Sequence, residues 1–151
     1  MFFIDLFIII SLGFLSLVGL LGCTVFAANQ FGFTLPKPLQ LTVPTHNDAS
    51  IATTRWGKLL GIPNWWLGTF FYVLTFTVAM FSFVPAIPPS LILLAISGSI
   101  IAVITSLVLL YGERAVLKVN CSACRIIHLA NFAILGVWIT TAVILSSTTL
   151  P

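Results

Sequence analysis

From Leu6 to Ala28 the chain carries no charged side chain, and the run is long enough to cross a lipid bilayer. A transmembrane α-helix needs about 20 such residues. Three more runs have the same character: Asn64 to Val84, Ser90 to Tyr111, and Cys121 to about Leu145. "PAIPP" at 85–89 stops the second, because proline cannot continue a helix. Gly112 closes the third, and a polar link, "GERAVLKVN", leads to the fourth. In lipid, backbone groups must be satisfied within each segment, so these runs become antiparallel helices packed together. The sequence therefore predicts an all-α membrane protein, a four-transmembrane-helix bundle, with residues 1–151 as one membrane domain.

Composition agrees. Hydrophobic residues are 60% and charged residues 6% of 151, too apolar for a soluble domain of this size. The net charge of +3 comes from so few charged side chains that a nucleic-acid-binding patch is excluded. The first run is read as a retained helix. "LLGC" at 20–23 loosely resembles a lipoprotein cleavage site, but "MFFID" carries Asp5 and no Lys or Arg where a signal peptide is positive.

The long first link, residues 29–63, begins with an irregular, proline-containing half. "DASIATTRWGKLLGIPN" then reads as a short surface half-helix over 48–61. Asn47 or Asp48 caps its start, and Gly61 with Pro63 ends it. Ile51, Leu59 and Leu60 against Arg55 and Lys58 suit a piece lying on the membrane over the mouth of the bundle.

Polar residues crowd into "NCSACRIIHLAN" at 120–131. At 100° per residue, Cys121, Cys124, His128 and Asn131 share one face within about 80°. Polar groups inside a membrane normally face the bundle interior and mark function. The plainer role for His128 and Asn131 is to join helices by hydrogen bonds. The CxxC itself has three readings. As a zinc half-site it lacks a matching second pair, since only Cys23, His46 and His128 remain. As a pair of buried cysteines it would pack as small hydrophobes. As a redox dithiol it suits its place, because a helix N-terminus and the adjacent Arg125 both favour thiolate. Inside lipid the plausible electron acceptor is a quinone.

"TTRWGKLLGIPNWWLG" at 53–68, followed by "CSAC" at 121–124 with His128 and Asn131, resembles the vitamin K epoxide reductase family. The motifs cover the end of the first link, the second span and the fourth, and the four-helix plan agrees over the whole chain. The likeness is to bacterial and archaeal-type homologues without an appended thioredoxin-like domain, which implies a prokaryotic cell membrane. It implies a bundle that encloses a quinone under a surface half-helix to which Thr54 and Trp56 belong. It implies that Cys124 attacks the quinone, that Cys121 exchanges disulfides with a thioredoxin-like or other thiol partner, and that Asn64 and His128 hydrogen-bond the quinone oxygens. Asn131 is counted with the quinone-binding residues, and Trp65 and Phe71 are candidate walls. Capping of the second span is the alternative role for Asn64. No metal is expected.

One departure matters. Family members usually carry two shuttle cysteines in the first link, whereas residues 29–63 contain none. Cys23 lies toward the same membrane face as the CxxC, either as a helper or as a packing residue. Two functions follow. One is a quinone-coupled thiol–disulfide oxidoreductase supporting disulfide formation. The other is a non-catalytic structural or quinone-gating subunit of a larger membrane complex. Sidedness is contested as well. All six Lys and Arg residues lie at the CxxC end, which by the positive-inside rule puts that end in the cytoplasm. The family resemblance points it outward.

Overall fold

The computed structural model describes residues 2–33, 36, 57–59, 61–81, 88–118 and 121–149. Helix α1 is Phe2–Gln30, α2 is Asn64–Phe81, α3 is Pro89–Tyr111 and α4 is Ser122–Thr149. Each contains a stretch long and apolar enough to cross a membrane, and for α1 that stretch is Leu6–Ala28. The chain is an integral, multi-pass membrane protein. Residues 82–84, expected at the end of the second span, lie outside the described residues.

The helices bury narrow stripes and leave large apolar side chains such as Phe7, Phe14, Phe70 and Leu107 outward, as lipid permits. On α1 the stripe is Ile9, Leu12, Ser16, Gly19 and Cys23, spaced three and four residues apart on one face. On α3 it is Ala95, Ser99 and Ser106, small residues that let helices approach closely where no water drives association. Three buried hydroxyls are satisfied within their own helices: Ser16 Oγ donates to Leu12 O, Thr75 Oγ1 to Phe71 O and Ser99 Oγ to Ala95 O.

Two ends differ from the sequence reading. The half-helix expected over 48–61, with Thr54 and Trp56, lies outside the described residues except at its end. There the chain is extended. Strand β1, Lys58–Leu59, pairs antiparallel with β2, Ile62–Pro63. Gly61, at φ +85°, supplies the left-handed turn between them, so it serves a hairpin rather than a helix end.

Gly112 caps the α-helical run at Tyr111 but does not end the helical backbone. It is right-handed helical, and its N–H reaches both Leu109 O and Val108 O. The chain continues through one wide π-type turn, Gly112–Leu117. "GERAVL" holds no proline, and the stop comes at Lys118, whose left-handed φ of 51° turns its N–H back to Glu113 O.

Tyr72 is fully buried where α2 meets α1, and its ring occupies the space over Gly19. A Cβ at Gly19 would lie 2.2 Å from that ring. Gly19→Ala is expected to cost about 1–3 kcal/mol through overpacking. Gly136→Ala, where nothing lies within 4 Å, is expected to be close to neutral. Thermal unfolding midpoints of both variants in detergent check this.

Candidate functional site

Cys121 stands immediately before α4, at its N-cap. Its Sγ accepts the Cys124 N–H at 3.0 Å, and its carbonyl accepts the Arg125 N–H. Capping side chains satisfy the donors that a helix start leaves open, and a sulfur does so here. The same sulfur is bonded to Cys124, with Cα atoms 5.2 Å apart. Both cysteines are buried. Cys23 is a buried free thiol in the main core cluster, beside Tyr72 and Phe71.

Below the disulfide lies a cavity of about 430 Å³, within the size range of small-molecule sites. All four helices, the hairpin and the π turn contribute to its wall. Most of the wall is apolar, including Phe26, Trp65, Phe71 and Ile101. Convergent polar groups come from Asn64 at the start of α2, and from Cys124, His128 and Asn131 along α4. Three members of the stripe expected from helical spacing, Cys124, His128 and Asn131, thus face one space, while Cys121 is not among its lining residues. Gly57 and Leu59 also line the cavity.

The polar groups have different surroundings. Asn131 is held on both sides of its amide: Tyr72 Oη donates to Oδ1, and Nδ2 donates to Ser106 Oγ at 2.9 Å. His128 is buried, and neither ring nitrogen has a hydrogen-bond partner among the described residues. Its Nε2 lies 3.5 Å from Glu113 Oε1. Glu113 is 5% exposed, and its carboxylate and the two sulfurs lie within 4.8 Å of one another.

Glu113 is the site residue that the sequence reading missed, because it sits in what reads as a polar link. The signal was its rarity: it is one of three acidic residues in the chain, directly after an apolar span. Intramembrane acids mark functional sites by default. Tyr72 and Ser106 were missed too, since nothing in their own segments announces a partner on α4.

At the mouth, Trp65 Nε1 donates to Gln30 Oε1, and the Trp65 ring meets Phe31 edge-on with centroids 6.0 Å apart. These contacts tie the end of α1 to the start of α2. Lys58, Arg114, Lys118 and Arg125 are all exposed.

The vitamin K epoxide reductase family model matches residues 10–140. The chain belongs to the vitamin K epoxide reductase family. That membership implies quinone-coupled thiol–disulfide chemistry, since members are quinone-reducing oxidoreductases. The match reaches into all four helices, and the CxxC pair is present as the Cys121–Cys124 disulfide. No curated protein and no solved structure matches the chain.

Two outcomes follow from this geometry. Protein denatured without reductant should take up one alkylating group, at Cys23, and three after reduction, as read by mass spectrometry of the peptides. Tyr72→Phe removes a donor from buried Asn131 Oδ1. It should cost about 1–3 kcal/mol in unfolding free energy, the penalty for leaving such a group unmet.

Proposed function

We propose that the protein is a quinone-coupled thiol–disulfide oxidoreductase that supports disulfide formation. The single observation that carries this reading is a CxxC disulfide whose Cys124 lies in the wall of an apolar cavity edged by polar groups. A quinone ring has two apolar faces and two carbonyl acceptors. Asn64 and His128 hydrogen-bond those carbonyls from the wall, and Asn131 assists through the second N–H of its amide.

The cycle balances over two electrons and two protons. A thioredoxin-like or other dithiol partner attacks Cys121, the cysteine at the helix start. The partner leaves as a disulfide, and Cys121 and Cys124 are left as thiols. Cys124, one helical turn deeper, then delivers the electron pair to the quinone as the Cys121–Cys124 bond forms again. The two thiol protons and the electron pair make the quinol. The helix N-terminus favours the thiolate that must attack at each stage.

A second reading has one observation in its favour. Residues 29–63 contain no cysteine to shuttle electrons inward, which suits a structural or quinone-gating subunit of a membrane complex.

The readings separate on cysteine variants in membranes. Cys124→Ala is expected to abolish quinone reduction while Cys121 still traps mixed disulfides with thiol partners. His128→Ala is expected to raise KM for the quinone about 3- to 10-fold, the worth of one neutral hydrogen bond. If both cysteine variants, Cys121→Ala and Cys124→Ala, keep the parent's quinone-coupled activity, the subunit reading replaces the enzyme.

A further inference from the structure

We propose that the reduced Cys121–Cys124 dithiol, with Glu113 and His128, forms a binding site for a divalent cation of the zinc type. Zinc selects thiolate, imidazole and carboxylate ligands in a tetrahedron. From sequence alone the CxxC lacks the other half of such a set. The π turn supplies Glu113 from the end of α3, and the next turn of α4 supplies His128.

Three of the four groups are close together, and His128 stands next to them through its contact with Glu113. The Glu113 carboxylate and both sulfurs fall within 4.8 Å of one another. His128 Nε2 lies 3.5 Å from Glu113 Oε1. Nitrogen and oxygen ligands about 2.1 Å from one tetrahedral ion are separated by about 3.4 Å. At 3.5 Å the imidazole and carboxylate make no hydrogen bond, so Glu113 is the charged neighbour of a buried Nε2 that has no hydrogen-bond partner among the described residues. A buried carboxylate beside such a nitrogen is costly unless a cation or proton joins them.

Charge and chemistry set the condition for binding. In the disulfide neither sulfur is a thiolate, so the site opens only on reduction. Binding then releases the thiol protons and moves no electrons. Two thiolates and one carboxylate face the dipositive ion, and the remaining negative charge lies at the positive end of α4. The Cys124 N–H already directed at Cys121 Sγ stabilises a metal-bound sulfur. An ion held there keeps the thiolates apart and arrests the dithiol in its reduced state. The inference shares with the proposed function only that the pair is reducible. It requires no quinone.

The test is a Co²⁺ titration of metal-free protein in detergent, without quinone or thiol partner, before and after reduction by a phosphine that is then removed. The reduced protein should show sulfur-to-cobalt charge-transfer bands and the intense visible bands of tetrahedral Co²⁺. Zn²⁺ should bleach them, and the oxidised protein should show neither. Glu113→Gln and His128→Ala should each weaken binding at least about tenfold. X-ray absorption of the zinc-loaded, unmutated protein gives an answer even if a variant fails to fold. Two sulfur and two nitrogen or oxygen neighbours, with the scattering signature of one imidazole, support the site. Absence of binding, a shell without imidazole, or folded variants that bind as tightly as the parent would overturn it. A failure here leaves the cysteine-variant result on quinone reduction unaffected.

Discussion

A polar atom carried into lipid has no water to fall back on, so a buried polar group that its own helix cannot satisfy needs an answer from another. Leaving one unmet costs several kcal/mol. Asn131 is answered by Tyr72 from α2 and Ser106 from α3, partners 59 and 25 residues away in sequence. Those two bonds fix the heights of three helices against one another. The fourth helix follows, because the Tyr72 ring has to lie somewhere. It lies across α1 at Gly19, the position whose missing side chain leaves room. The packing of the bundle core is thus subordinate to one amide.

The same logic shapes the mouth. Cys121 combines two duties, as cap of α4 and as one half of the disulfide. The disulfide is therefore built into the start of a helix and not hung on a loop. Opposite it, the wide turn after α3 carries Glu113 inward, while the neighbouring Arg114 stays exposed. Wide turns of this type recur at functional sites, and Lys118 ends this one in a conformation that a lysine rarely adopts.

The four spans are legible in the sequence because a lipid solvent asks for little more than length and apolarity. The CxxC–His–Asn stripe is legible because helical spacing alone puts those residues on one face. Glu113 is not, because its inward direction depends on a backbone that continues past Gly112, and glycine there reads as a stop. Only the φ at Gly112 and at Lys118 decides which residue ends the helix. The Tyr72–Asn131–Ser106 network is illegible for a different reason. A tyrosine and a serine in apolar runs look like any others until three-dimensional packing brings them to an amide. Lys58–Leu59 reads as the end of a half-helix, but pairing with Ile62–Pro63 across Gly61 outweighs local pattern.

A helix rises about 1.5 Å per residue, so Asn131 lies roughly 15 Å below Cys121, about half the thickness of a hydrocarbon core. The disulfide, Glu113, His128 and the Asn131 network all fall within that depth. Beyond it α4 buries Ile134 and Trp138, and α2 buries Val78 and Ala79. The molecule is thus divided by leaflet. One leaflet holds the buried disulfide, carboxylate, imidazole and amide. The other is mainly a hydrocarbon anchor, where Leu12, Val78, Ala79 and Ile134 contribute through volume and shape.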